Sequence, residues 1–484
     1  MHVLFIYPDL SEVSKGLYHR GIAQLSAMLK QAGHTTALLH VFKPHADSEF
    51  NNLLTRMEKP ELIAFSSMTN MYAWAERFAR LTKEEYPDVP IIIGGIHPTM
   101  VPEEVIVKPY FDFICVGEGE YPVLELISSM ENGENCSTIQ NLWVTKNGTQ
   151  IKNPLRSLIQ DFDLLPLPYR EIYYKYKFIR DLPIKRFISG VGCPYHCTFC
   201  HNPMQIKMYK GKGKFVRKKS VDRIIKEIRY VKDRFVLKRV HFSDDTFVLH
   251  KEWLREFLHE YRKEITLPFS CNIRIDRVNE EIIRDMRDSG CFGISFGIES
   301  GSERIRNSIL RKNLKEEDII NNSRIIKKYG IKLIITNMIG LPEETLEDAF
   351  KTVKLNQKIG ADYIRTAILV PYPKTEIVDY AIERGLLPGD YSIHNFKQVL
   401  RKSSINSPYA KEFENLCALF SLTVKFPALT YLTKILIKLP LNHIFSITRL
   451  WEAFENMLYH QLFTPAGFRY LFHIAKNVRR DVWR

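Results

Sequence analysis

Gly192-Cys193-Pro194-Tyr195-His196-Cys197-Thr198-Phe199-Cys200 places three cysteines within nine residues, spaced C-x3-C-x2-C, and the rest of the chain is read outward from it. Three thiolates on so short a loop can face one iron–sulfur cluster, each on a different iron, which leaves a fourth iron without a protein ligand. An open iron is a place where a small molecule can chelate. Zinc is the alternative, with His196 or His201 completing a tetrahedron, but structural zinc usually takes two separated pairs of ligands and no second pair follows. The other five cysteines, Cys115, Cys136, Cys271, Cys291 and Cys417, are scattered, which fits a reducing cytoplasm better than a disulfide framework.

A strand at Phe187–Val191 delivers this loop, and a regular rhythm follows it. Strands are predicted at Arg239–Ser243, Phe269–Ile273, Phe292–Gly297, Lys332–Met338 and Tyr363–Leu369. Helical patterns separate them at Val221–Arg234, Lys251–Tyr261, Glu280–Ser289, Lys315–Tyr329 and Leu346–Ile359. Six such units imply a partial (β/α)6 TIM-like barrel whose active site lies at the carboxyl ends of its strands. Polar residues cluster at those ends. Asp244 and Asp245 either cap the next helix or face a cation. Arg274 can pair with a carboxylate. Glu299 can accept hydrogen bonds from hydroxyls, and Ser300-Gly301 opens the next helix. The turns Met338-Ile339-Gly340-Leu341-Pro342-Glu343-Glu344 and Pro371-Tyr372-Pro373-Lys374-Thr375 end the fifth and sixth strands.

Upstream, short apolar runs at His2–Tyr7, Thr36–Val41, Leu62–Ser66, Ile91–Gly94 and Phe113–Val116 alternate with helical patterns. That order predicts a doubly wound parallel sheet with helices on both faces. Ligands on such sheets sit beyond the carboxyl ends of the strands. There lie the loops Gly94-Gly95-Ile96-His97-Pro98-Thr99 and Gly117-Glu118-Gly119-Glu120. No G-x-G-x-x-G follows the first strand, which disfavours a dinucleotide. A hairpin around Leu142–Ile151, turning at Asn147-Gly148, closes this region, and the prolines of Asp161–Tyr169 mark a stiff linker. The expected domains are 1–150, a linker 151–182, a barrel 183–400 and a basic helical cap 401–484.

The cysteine loop, with Phe199 before its third cysteine, resembles that of the radical S-adenosylmethionine (SAM) enzymes. With the two glycine loops ahead of it, the chain resembles the cobalamin-binding-domain radical SAM enzymes over roughly residues 1–400. That family holds methyltransferases and the anaerobic magnesium-protoporphyrin ester cyclases. The resemblance implies a [4Fe-4S] cluster on Cys193, Cys197 and Cys200, with SAM on the open iron. It implies SAM contacts from Phe199, Asp244, Asp245, Arg274, Glu299, Ser300, Ile339 and Gly340. It implies cobalamin beside Gly94, Gly95, His97, Gly117, Glu118 and Gly119. The D-x-H-x-x-G loop that supplies a cobalt ligand in other cobalamin proteins is absent, since Asp9-Leu10-Ser11 follows the first strand, and many members of this family resemble the chain in that respect. Members often carry glycine where Lys374 stands, so a different local turn is expected here. The implied reaction is methylation of an unactivated carbon or phosphorus centre; a radical cyclisation, or less closely an RNA methylthiotransferase, is the alternative. A flavodoxin or ferredoxin would supply electrons.

The formal charge of +14 permits an anionic partner. The run Lys207–Lys219 reads as a solvated basic surface, and no nucleic-acid partner is expected. Residues 401–484 carry 12 Lys/Arg against 5 Asp/Glu, interleaved with apolar clusters. No uncharged run reaches the ~18 residues of a membrane span. A helical cap is one reading. A peripheral membrane surface with Trp451, Tyr459 and Phe468 below the headgroups is the other, and it would suit a lipid-like substrate. The start of the chain lacks the basic and apolar pattern of a secretion signal.

Overall fold

A computed structural model of the chain describes residues 1–10, 18–146, 148–392 and 402–440, together with Phe445, Thr448, Trp451, Phe454 and Glu455. Ser11, Asn147, Tyr459 and Phe468 therefore lie outside the described residues. The chain divides into two compact units: Met1–Asp181 with Met204–Arg217, and Leu182–Pro203 with Lys218–Arg484.

The first unit is built on seven strands: β1 (His2–Pro8), β2 (Thr35–Val41), β3 (Leu62–Ser66), β4 (Ile91–Gly94), β5 (Phe113–Cys115), β6 (Leu142–Lys146) and β7 (Thr149–Lys152). Their spatial order is β2-β1-β3-β4-β5-β6-β7. The first five run parallel, and the β6–β7 hairpin adds an antiparallel edge. All seven residues of β1 are buried, because a central parallel strand is covered on both faces. Its principal helices are α1 (Arg20–Gln31), α2 (Asp47–Leu54), α3 (Tyr72–Glu85) and α4 (Glu120–Glu131).

The second unit holds six parallel strands: β8 (Ile184–Phe187), β9 (Arg239–Phe242), β10 (Phe269–Asn272), β11 (Cys291–Glu299), β12 (Lys332–Ile339) and β13 (Tyr363–Ile368). Each lies beside its predecessor in sequence, the strand order of a half-barrel. The connecting helices are α5 (Val221–Arg234), α6 (Lys251–Glu264), α7 (Glu280–Asp288), α8 (Glu316–Lys328) and α9 (Leu346–Ile359). Local chemistry sets their ends. Ser220 caps α5, Asp222 sits in its first turn, and Lys232 and Arg234 in its last. Its buried Val221, Ile224, Ile225, Ile228 and Val231 recur at helical spacing. Thr345 and Asp348 form a capping box at the start of α9.

Among the described residues three helices follow the last strand: Glu376–Glu383, then α10 (Ala410–Lys425) and α11 (Thr430–Leu436). α10 packs on β13 and α9 and puts Phe413, Leu416, Cys417 and Phe420 into the same core as the sheet. Among the described residues no helix is long and apolar enough to cross a membrane.

One strand departs from expectation. The sheet uses Ile184–Phe187, three residues ahead of the predicted start, and Ser189 leaves the ladder. Its N–H and hydroxyl donate to the Asp244 carboxylate instead, at 3.0 and 2.5 Å.

Candidate metal-cluster and cofactor site

The cysteine loop follows β8 and is held at its centre by Thr198. That residue's N–H donates to Leu310 O (3.2 Å), its hydroxyl to Ile309 O (2.9 Å), and its carbonyl accepts from Ile377 N–H (2.9 Å). Phe199 packs beside Ile305, Ile309, Leu310 and Leu341. These contacts fix the loop's core, while Cys193, Cys197 and Cys200 stay partly exposed around it. Burial pushes all three thiols up, Cys200 to about 11, and the thiolates of Cys193 and Cys197 raise it further. Lys312 and Arg274 work in the opposite direction at Cys197. Three mutually repelling thiolates ionise together only when a cationic group sits among them, so this donor set fits an iron–sulfur cluster. Among the described residues no three His, Cys, Asp or Glu converge as they would on a single ion, and His196 and His201 are exposed. Thiolates on separate irons of one cluster do not need that convergence.

The paired aspartates have different surroundings. Asp244 is buried, and besides Ser189 it accepts from Lys218 Nζ at 3.1 Å. Lys218 also donates to Ser189 Oγ (2.8 Å) and Phe247 O (3.1 Å) and lies 4.0 Å from the Trp253 ring centroid. Asp245 is exposed and accepts only from Asn202 Nδ2, at 3.3 Å, among the bonds seen. Neither caps a helix, since α6 begins at Lys251 with His250 as its N-cap.

Arg274 is buried rather than exposed. It donates to Asp276 (2.9 Å) and to the carbonyls of Lys312 and Asn313, and its guanidinium lies 3.9 Å from the Tyr195 ring centroid. It ties the cysteine loop to the loop after Leu310. Glu299 ends β11 and pairs with Lys312 Nζ at 2.8 Å; the register of β11 shifts here, and Glu299 has φ 65°. Ser300 is buried, its hydroxyl accepting from Ser302 N–H. Gly301 next to it has no room for a side chain, because a Cβ would collide with the Lys351 backbone.

Ile339 is buried at the end of β12, and its carbonyl accepts from Leu369 N–H. Gly340 follows with φ 71°, a left-handed conformation that glycine adopts freely. Glu344 turns back to accept from Leu341 N–H at 3.1 Å, and burial pushes its carboxyl up to about 8. Lys374 adopts φ 64°, in the left-handed region that glycine enters freely. Ser189, Thr198, Asn202, Lys218 and Lys312 escaped the sequence reading, and only Lys218 carried a signal, its place in a basic run.

In the first unit the glycine loops end β4 and β5. Gly95 (φ 102°) lies against Ser67, and His97 N–H donates to Ser67 O at 3.2 Å. The His97 ring is fully buried, tilted against Tyr72 with centroids 4.1 Å apart, its Nδ1 lies 3.3 Å from Thr69 Oγ1, and burial lowers its pKa to about 3. Its Nε2 is buried and makes no hydrogen bond among the described residues. Gly117 (φ 90°) donates to Thr99 Oγ1 at 3.0 Å and faces the Tyr209 hydroxyl, which leaves no space for a Cβ. Glu118 pairs with Arg217 at 2.7 Å and accepts from Ile159 N–H at 2.8 Å. Gly119 is the N-cap of α4 and lies near Leu25. A Cβ on Gly95 would collide with the Ser67 backbone and one on Gly94 would press on Cys115, so both glycines let the loop pack closely on the neighbouring strands. The basic run is not simply solvated: Arg217 is held by Glu118, Lys218 by Asp244, and Lys219 by Glu227 at 2.5 Å.

A half-barrel with three thiols beyond its first strand, and a doubly wound sheet with glycine loops at its carboxyl edge, define an enzyme that works at a metal cluster with a second cofactor domain. Residues 187–355 match the radical SAM superfamily and residues 10–127 match the B12 binding domain. The chain is a radical SAM enzyme that carries a B12-binding domain, and its cofactors are a [4Fe-4S] cluster, SAM and cobalamin. It is 29% identical over 395 residues to an uncharacterised methyltransferase of Pyrococcus horikoshii, covering 80% of this chain and 84% of the relative. It is 23% identical over 458 residues to the anaerobic magnesium-protoporphyrin IX monomethyl ester cyclase of Rubrivivax gelatinosus, covering 86% and 80%. The fold matches the radical SAM methyltransferase TsrM of Kitasatospora setae, solved with cobalamin and a [4Fe-4S] cluster, with a TM-score of 0.64 at 17% identity over 80% of this chain and 76% of that one.

Proposed function

We propose that the chain is a cobalamin-dependent methyltransferase acting on an unactivated carbon or phosphorus centre of a small, lipid-like molecule. The observation that carries this reading is the Thr198-anchored loop of three thiols, with Lys312 and Arg274 beside Cys197. Similarity to a methyltransferase over 80% of the chain supports it. When bound, the cluster and SAM supply one-electron cleavage of a sulfonium, and cobalamin supplies a methyl carrier.

The residues have separable tasks in this reading. Cys193, Cys197 and Cys200 hold iron. Asp245, with a carboxylate open to solvent, receives the ammonium of SAM, while Asp244 serves only to fix the loop. Glu299 and Ser300 face the ribose, and the backbone at Ile339-Gly340 faces the adenine. Gly94, Gly95, Gly117, Glu118 and Gly119 border the cobalamin. Electrons come from a flavodoxin- or ferredoxin-like donor in the cytoplasm. Radical cyclisation is the second reading, favoured by the similarity to the cyclase over 86% of the chain.

The test is to incubate anaerobically reconstituted protein with SAM, reductant and a cell extract, with and without cobalamin. Cobalamin-dependent S-adenosylhomocysteine together with 5'-deoxyadenosine is the expected result. Deoxyadenosine alone would favour the cyclase, and neither product would remove the radical SAM reading. Replacing all three cysteines by alanine is expected to abolish both iron binding and deoxyadenosine.

A further inference from the structure

An ordinary surface helix turns its apolar side inward and its charges outward. The stretch Phe426–Pro440 does the reverse. A turn at Pro427–Leu429 leads into α11, which faces the protein with Thr433 and, just beyond it, Ile437. Its opposite side carries Tyr431 (76% exposed), Leu432 (47%) and Ile435 (48%), continued by Phe426, Leu429 and Leu439, all exposed. At helical spacing Tyr431, Leu432, Ile435 and Leu439 form one outward stripe, and Lys434 and Lys438, also exposed, flank one edge of it. No Asp or Glu occurs in Phe426–Pro440. Phe426 also adjoins an aromatic group, with the Trp451 ring at 6.3 Å and Phe454 6.1 Å beyond.

We infer that Phe426–Pro440 is a docking surface for an anionic lipid bilayer, with the apolar stripe entering the interface and Lys434 and Lys438 at the headgroups. Charge selects this occupant. A second copy placed by two-fold symmetry would set these lysines against each other with no carboxylate on the segment to offset them. Residues 441–484 carry six Lys/Arg against three Asp/Glu, so they do not complement the lysines either. An anionic membrane supplies negative charge beside an apolar layer, and aromatic residues at the boundary suit it. This inference does not depend on the methyl-transfer reading.

The test is co-sedimentation of the full chain with vesicles of equal parts phosphatidylcholine and phosphatidylglycerol, against phosphatidylcholine alone, at low and high salt. The wild-type chain is expected to pellet with the mixed vesicles and to release at high salt. Leu432→Ser with Ile435→Ser should lower binding more than about tenfold. Lys434→Glu with Lys438→Glu should lower it at least about fivefold per lysine. The charge pair alone decides the matter if the serine pair fails to fold. No pelleting with either vesicle, or unchanged binding by the variants, would overturn the inference. So would a lipid-free dimer that the serine pair converts to monomer, since a second copy would then be the occupant.

Discussion

Asp244 is 2% exposed and its carboxylate is shared by Ser189 and Lys218, whereas Asp245 next to it faces solvent. Asp244→Asn leaves Lys218 as an uncompensated buried charge and is expected to cost about 3–5 kcal/mol in a urea melt. Asp245→Asn is expected to stay within about 0.5 kcal/mol of wild type, while SAM affinity in equilibrium dialysis falls about tenfold or more for a lost charged hydrogen bond. Equal effects from the two would refute this division of labour. The sequence singled out the pair but could not assign the roles, because the partners lie 55 and 26 residues from Asp244. Glu344 titrates in a way its neighbours do not. Its pKa rises from 4.5 to about 8, chiefly by burial, so the unfolded chain loses its proton first and stability falls as pH climbs through that window. Glu344→Gln is therefore expected to gain on wild type between pH 4.5 and 8, and parallel stability–pH curves would show the carboxyl already ionised in the fold.

At the scale of elements, the chain enters the left-handed region at or just beyond the ends of several half-barrel strands: Glu299 at φ 65°, Glu343 at 57° and Lys374 at 64°, beside Gly340 at 71°. A side chain in that region costs roughly 1–2 kcal/mol, and strain of this kind collects at functional sites. Lys374→Gly removes it at the expense of a more flexible unfolded chain, for an expected net gain of up to about 1 kcal/mol in melting experiments. A loss instead would mean that the lysine side chain holds the turn. Most strands and helices were legible because apolar periodicity alone specifies them, and α5 and α9 match their predicted limits. The first barrel strand was misplaced because Ile188 is as apolar as Phe187 before it, whereas in the fold the pairing stops at Phe187 and Ser189 bonds to Asp244 instead.

Taken as a whole, the molecule does not follow its sequence order. Residues 204–217 belong to the first unit, although those before and after them belong to the second. Within the first unit the Tyr209 hydroxyl accepts from Glu118 N–H, and Arg217 reaches Glu118 and Ile159 O. A fragment ending at Asp181 lacks these groups, leaves Glu118 without its buried cation, and is expected to melt well below the first transition of the intact chain. Equal melting would show residues 204–217 to be dispensable to that unit. The order of parts was readable from motifs, but the excursion was not, since a lysine-rich run carries no record of which carboxylates will receive it.

That excursion also orders events on the ribosome. The first unit cannot close until Arg217 has emerged, and by then Cys193, Cys197 and Cys200 have already been synthesised. Of the six strands in their own sheet, only β8 exists at that moment. Domains assemble as units while the chain lengthens, so the three thiols pass through translation facing water before β9 to β13 arrive. The thiols are thus open to iron during biosynthesis, and because they stay partly exposed afterwards, iron can also be loaded into the finished fold.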